Sequence, residues 1–218
     1  LPQGVTHNVT PGGGFPSFVT QLVFTADLTA ALGTYQITVS AVGAGSPQTI
    51  NFTLQVLPRK RVFVTAATWN GNLGGLSGAD TKCNTEASAA GLSGTYTAWL
   101  STTTVHAKDR ISDGLYTRVN GTVIAFDKND LIDGQLQVSI RFTAANEQAQ
   151  DWVVWTGTNP NGTVIANAHC NNWTSQTNGV NGRIGDNNIA NSNWTSAYNA
   201  SDWGGCNVNF GRLYCFEQ

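Results

Sequence analysis

Four cysteines constrain the fold of this chain more than any other feature: Cys83, Cys170, Cys206 and Cys215. They lie far apart, none forms a Cys-x-x-Cys pair, and their spacing fits no common zinc module. Only 11% of the residues are charged, against about 25% in an average soluble domain. An even number of widely separated cysteines in so charge-poor a chain points to two disulfides and an oxidising compartment. Three pairings are open on the sequence alone. Gly, Thr, Asn and Ser take the place of charged residues, a profile that suits an extracellular protein of strands and turns. The net charge of −2 gives no electrostatic case for nucleic acid or anionic lipid. The single basic run, Arg59-Lys60-Arg61, reads as a solvated linker. No stretch approaches the ~20 apolar residues of a membrane span, so no membrane insertion is expected. A chain that starts Leu-Pro and holds no methionine reads as a processed piece whose export signal is already gone.

The 218 residues allow one large domain or two small ones. Residues 21–29 (QLVFTADLT), 33–43 (GTYQITVSAVG) and 48–57 (QTINFTLQVL) alternate apolar and polar positions. Such period-two runs between Gly-rich turns predict antiparallel strands. Pro58 and the basic triplet mark a junction, which gives domains 1–58 and 59–218. In the second, RVFVTAATW (61–69) reads as a strand. Ser77 is expected to cap a helix with Asp80 as its capping-box partner. Ala79, Cys83, Ala87 and Ala90 are spaced 4, 4 and 3, so they share one helical face. Gly91 supplies a left-handed stop. Cys83 then lies on the buried side of the helix, and GTYTAWLS (94–101) follows as a strand.

The stretches LPQGVTHNV, LGTYQITVSAV and FTLQVLP resemble the last part of a bacterial immunoglobulin-like repeat over about 57 residues. A complete sandwich of that kind has about seven strands and roughly 100 residues, and the first strands are missing here. Either the chain was cut inside this domain or strands come from elsewhere, for example from a neighbouring subunit. The stretches GLSGADTKCNTEASAAGLSGTYTAWLS (75–101), VWTGTNPNG (154–162), GRIGD (182–186) and CNVNFGRLYCFEQ (206–218) resemble the endostatin-like domains of bacterial surface proteins, variants of the C-type-lectin-like fold. The fold class implied is an α+β C-type-lectin-like domain preceded by a small all-β partial immunoglobulin-like sandwich. The resemblance also implies nested disulfides, Cys83 with Cys215 and Cys170 with Cys206.

The enzymatic case is weak. His7, His106 and His169 are isolated, and neither a metal motif nor a nucleophile elbow accompanies them. The resemblance raises calcium as a possible cofactor, because many C-type lectins bind calcium and sugar through carboxylate-bearing triplets near the second and third cysteines. Here Asn159-Pro160-Asn161 and Ser201-Asp202-Trp203 stand near those places. The first triplet has no carboxylate, and calcium takes six to eight oxygens, so it reads as a turn. DKNDLIDG (127–134) fails the EF-hand pattern at Leu131 and Ile132 and reads as a turn or short helix. GDNNIANSN (185–193) is oxygen-rich around Asp186. The zinc site of endostatin uses histidines that 61–70 lacks, so no metal site is assigned. Trp99 and Trp155 read as core. Trp173, Trp194 and Trp203 sit in Asn/Gly loops, where they either roof a loop-rich core or present indole rings to a sugar or protein partner. With Asn159, Asn161, Asp186, Asn187 and Asp202 they form the candidate ligand surface. Seven Asn-x-Ser/Thr sequons, at Asn8, Asn51, Asn120, Asn161, Asn172, Asn193 and Asn199, matter only where the source glycosylates. The expectation is a non-enzymatic, secreted or surface-attached protein: an adhesin-like module or a structural subunit of an appendage or filament, binding an extracellular protein, a glycan or copies of itself. The alternative is a lectin using a calcium- or Trp-based site in loops 155–206.

Overall fold

The computed structural model describes residues 1–14, 19–27, 29–43 and 45–218. The chain divides into two compact units, Leu1–Pro58 and Arg59–Gln218. Together they make a mixed α and β architecture of small sheets and few helices, with two disulfides.

The first unit is two antiparallel ribbons. Strand β1 (Val5–Thr10) pairs with β2 (Gln21–Ala26), and β3 (Gly33–Ala41) pairs with β4 (Gln48–Val56). The period-two runs 33–43 and 48–57 form β3 and β4. The run 21–29 is strand only to Ala26, and its Leu28 lies outside the described residues. The register stacks apolar residues on one face of each ribbon: Val9 opposite Leu22, Ile37 opposite Phe52, Val39 opposite Ile50. Phe24 meets Phe52 with ring centroids 5.6 Å apart. That face is poorly covered. Among the described residues of the unit only Val5 and Val56 are buried, and Ile50 is 65% exposed.

The second unit is built on a mixed five-stranded sheet. Its strands are β5 (Arg59–Val64), β6 (Tyr96–Ala98), β7 (Leu115–Arg118), β8 (Val123–Ala125) and, far along the chain, β12 (Tyr214–Glu217), in the order β6-β12-β5-β7-β8. A three-stranded antiparallel sheet holds β9 (Val153–Trp155), β10 (Arg183–Asp186) and β11 (Tyr198–Asn199), in the order β11-β10-β9. Successive side chains on a strand point to opposite faces, and the large sheet is covered on both. Val62, Val64, Tyr214 and Phe216 join one apolar cluster with Trp99, Tyr116 and Trp194. Phe63 and Cys215 join another with Cys83, Trp155 and Trp173.

Helix α1 (Gly75–Ala89) lies on the second cluster, burying Ala79, Cys83 and Ala87 on the predicted face. Its start differs from the expected cap. Gly74 is the N-cap, at φ 82°, a backbone conformation that costs little without a Cβ. Ser77 therefore falls inside the first turn. The Asp80 carboxylate does not close a capping box. It accepts the Ala98 N–H (2.8 Å) and both its oxygens accept from Arg110 (2.9 and 2.7 Å). One turn on, the Asn84 side chain accepts the Tyr96 N–H and donates to the Tyr96 carbonyl, each at 2.8 Å. The helix thus bonds the outward backbone groups of edge strand β6, which closes that edge to pairing. Gly91, at φ 71°, ends the helix and donates to the Ser88 carbonyl.

The basic triplet is not a solvated linker. It opens β5, and the Arg61 guanidinium donates to both oxygens of Glu217 (2.9 and 2.7 Å). Burial alone would raise the Glu217 pKa, but the hydrogen bonds and charge of Arg61 outweigh it and hold the carboxyl below its usual range. Residues 127–134 hold a short helix, Lys128–Leu131, capped by the Asp127 carboxylate accepting the Asp130 N–H. No helix among the described residues is long and apolar enough to cross a membrane.

Cys83 bonds Cys215 and Cys170 bonds Cys206, with Cα–Cα distances of 5.5 and 5.6 Å. The first bridge closes a loop of 132 positions, and loop-closure entropy gives it roughly 4–5 kcal/mol as an upper figure. Replacing both Cys83 and Cys215 by Ala is expected to cost about 3 kcal/mol. In a unit of this size that lowers the thermal midpoint by ~10 °C. An unchanged midpoint in calorimetry would show that the bridge does not hold the unit together.

Candidate functional site

The sequence points to loops 155–206 as a ligand surface, and the structure scatters most of that set. Trp173 and Trp194 are corrections: both are fully buried. The Trp173 Nε1 donates to the Ser101 carbonyl at 2.8 Å, and the Trp194 ring packs on Trp99 and Tyr214 at 5.2 and 5.5 Å. Their Asn/Gly neighbours form the loops, but an indole buries too much apolar area to be left outside when a core lies beneath it. Asn187 is also buried, donating to the Asp151 carbonyl at 2.8 Å. Asn159 and Asn161 build the turn they sit in. The Asn159 carbonyl accepts the Gly162 N–H, and the Asn161 carboxamide accepts from both the backbone and the hydroxyl of Thr163. Asp186 accepts the Asn188 N–H at 2.9 Å; burial pushes its pKa up, against that hydrogen bond.

Of the set, Asn161, Asp202 and Trp203 remain exposed, and the last two belong to a cluster the sequence does not reveal. Trp152, Tyr198, Trp203 and Phe210 come from four separate segments and meet at the surface. The ring centroids of Trp152, Tyr198 and Trp203 are 5.4–5.6 Å apart, and Phe210 lies 6.4 Å from Trp203. Tyr198 and Trp203 are 44% and 41% exposed. An open cleft of about 440 Å³ runs between Trp152, Trp203 and Phe210, with Val153 and Asp151 on its wall. Three rings at such spacing fill the space between them, so the cluster offers outer faces and edges and no cage around a central point. Asp151 is anchored at the rim by Arg212, whose guanidinium also donates to the Thr65 carbonyl at 2.8 Å. Asp202 is exposed beside Trp203. The cluster's positions are fixed by the Cys170–Cys206 bridge on one side and by β9 to β11 on the other. Among the described residues no three His, Cys, Asp or Glu side chains converge as metal ligands would.

The backbone behind this surface is strained. Cys170, Asn171, Asn172 and Trp173 all have positive φ, from 48° to 65°, a left-handed turn of four non-glycine residues. Each costs on the order of 1 kcal/mol, less for Asn. The Cys170–Cys206 bridge and the burial of Trp173 hold it. So does His169, whose Nδ1 accepts the Asn172 N–H at 3.0 Å while Nε2 lies 3.2 Å from the Thr103 hydroxyl. Burial lowers the His169 pKa below its ordinary 6.5, against a smaller backbone effect. His106 plays a similar part, its Nδ1 accepting the Val164 N–H at 3.1 Å. Both imidazoles act here as acceptors that fix loops.

Residues 66–190, more than half of the chain, match the family model described as protein of unknown function, DUF1554. The chain belongs to that family. The matched segment starts just after β5 and runs through α1 and the left-handed turn to just beyond β10, and it contains one cysteine of each disulfide. Trp152 lies inside it, whereas Tyr198, Trp203 and Phe210 follow it. No curated protein matches the chain.

A neutral His169 is required by the acceptor role of Nδ1. Its folded pKa is depressed, so its contribution is full above pH 6.5 and is lost as pH falls through the lower folded value. Amide exchange of residues 172–174 is expected to accelerate as the pH is lowered below 6.5, once the intrinsic pH dependence is subtracted. His169→Ala should remove that step, and a step that persists in the variant would assign it to another group.

Proposed function

We propose that this chain is a non-enzymatic extracellular surface protein, an adhesin-like binding module or a structural subunit of a surface appendage or filament. On this reading residues 59–218 are an endostatin-like domain of the C-type-lectin-like class. Residues 1–58 are a partial immunoglobulin-like sandwich that is completed by an added strand. One observation carries the proposal: the two ribbons of the first unit leave their apolar faces half exposed around an open groove of about 400 Å³. A sheet with so little buried side chain is stable only when more strands or another surface cover it. Two disulfides fit assembly in an oxidising compartment, secreted or at the cell surface. The non-enzymatic part of the reading is supported by the cysteines, all four of which are in disulfides, and by His106 and His169, whose Nδ1 atoms hold backbone N–H groups.

The test is electron microscopy of the native material together with sedimentation over a wide concentration range. Ordered oligomers or filaments jointed at residues 1–58 are the expected result. Monomers at every concentration would sink the structural-subunit reading.

A second reading, glycan binding, is favoured by the exposed rings of Tyr198 and Trp203, backed by the half-buried rings of Trp152 and Phe210. Aromatic faces stack on the apolar side of a sugar ring, and the carboxylates of Asp151 and Asp202 can accept from its hydroxyls. On this reading Trp203→Ala weakens glycan binding about fivefold, since a well-packed ring contributes on the order of 1 kcal/mol. Binding that persists in a chelator would assign it to the rings, whereas binding abolished by the chelator would assign it to calcium.

A further inference from the structure

The groove of the first unit indicates what completes it. Five consecutive residues of β3, Gln36 to Ser40, line one wall. Neighbouring residues of a strand point to opposite faces, so a groove touched by five in a row follows the edge of the strand and not one of its faces. The opposite wall is His7, Val9, Leu22 and Phe24. Among the described residues β3 pairs only with β4, so its second edge is open along all nine residues. Natural edges of that length are usually guarded by Lys, other charges or Pro. None is present: Gly33–Ala41 has no charged residue and no proline, and Asp27 is the single acidic or basic side chain, histidine aside, in residues 1–58.

The edge is also self-complementary. Placed antiparallel against a second β3 about a two-fold axis at Ile37, Tyr35 faces Val39, Ile37 faces Ile37 and Val39 faces Tyr35. On the other face Thr34 meets Ser40 and Gln36 meets Thr38. Every apolar residue meets an apolar one and every polar residue a hydroxyl or carboxamide, the cross-strand pairs that stabilise sheets. A two-fold axis normal to the sheet keeps the inner faces of both copies on the same side. The Tyr35, Ile37 and Val39 side chains of one copy then extend the apolar floor beneath Val9, Leu22 and Phe24 of the other.

We propose that the occupant of the groove is β3 of a second copy of this chain, forming a continuous sheet in the order β4-β3-β3-β4. The proposal rests on strand completion of the first unit and adds the partner, the register and the symmetry. An isologous pair closes on itself, so this joint makes dimers, and any filament needs a further contact elsewhere.

The test uses the full chain, wild type and substituted. Ile37→Cys places two thiols opposite each other at the axis, within the Cα separation a disulfide spans. Mild oxidation is expected to give a covalent dimer in high yield, while Thr53→Cys on β4 gives little. Ile37→Lys and Ile37→Glu each put like charges face to face and should weaken self-association by about tenfold or more. An equimolar mixture of the two should recover it as a mixed dimer, which a merely unfolded variant cannot do. Suppose the wild type self-associates, yet Ile37→Cys forms no cross-link and the Lys and Glu variants do not recover association when mixed. That result would overturn this partner and register while leaving strand completion standing. A wild type that stays monomeric at every concentration would overturn both.

Discussion

The second unit depends on one strand. Residues Tyr214–Glu217 lie between β5 and β6, with partners separated from them by more than a hundred positions of chain. Without that strand β6 has nothing to pair with and β5 keeps only β7, Phe63 and Val62 lose their contacts on that side, and helix α1 loses the sulfur that fixes it to the sheet. The Cys83–Cys215 bridge is therefore more than a link between distant segments. It joins the face of α1 to a central strand of the sheet, at the point where the two layers press together. Small side chains at Ala79 and Ala87 make that approach possible, since they let the helix backbone lie close to the strands.

Periodicity makes much of this legible in the sequence. The helical face of Ala79, Cys83 and Ala87, the stop at Gly91 and strands β3 and β4 all follow from local patterns, because in each case the residues that share a face are close in sequence. The start of α1 departs from its local pattern because Ser77 and Asp80 satisfy a rule that the tertiary structure overrides. Asp80 has two better partners in Arg110 and the Ala98 N–H. The triplet Arg59-Lys60-Arg61 departs for a similar reason, since nothing near it in sequence announces Glu217 far along the chain. The aromatic cluster is hidden because its four rings come from positions 152, 198, 203 and 210, brought together only by the folding of the long loop. Trp173 and Trp194 show the opposite effect: polar neighbours disguise rings that serve the interior.

The two units treat their sheet edges in opposite ways. In the second, the outward backbone groups of β6 are bonded by Asn84 and Asp80, so the sheet ends there. In the first, no helix among the described residues covers β3, and the strand carries no charge. Both edges are runs of ordinary strand residues, and what separates them is whether polar side chains from elsewhere in the fold reach the backbone. At β6 the groups held by Asn84 and Asp80 are closed to another strand, whereas among the described residues those along the second edge of β3 are open.

The place of β12 also sets an order of events. A chain made or exported from its N-terminal end presents Cys83, then Cys170, then Cys206, before the thiol at 215 arrives. An oxidant met early finds Cys83 without its partner and can join it only to Cys170 or Cys206. The native pairs need either a delay in oxidation until residues 214–217 have reached the sheet, or a catalyst that exchanges early bonds for later ones. Correct bonding in this unit is thus a matter of timing as well as of proximity.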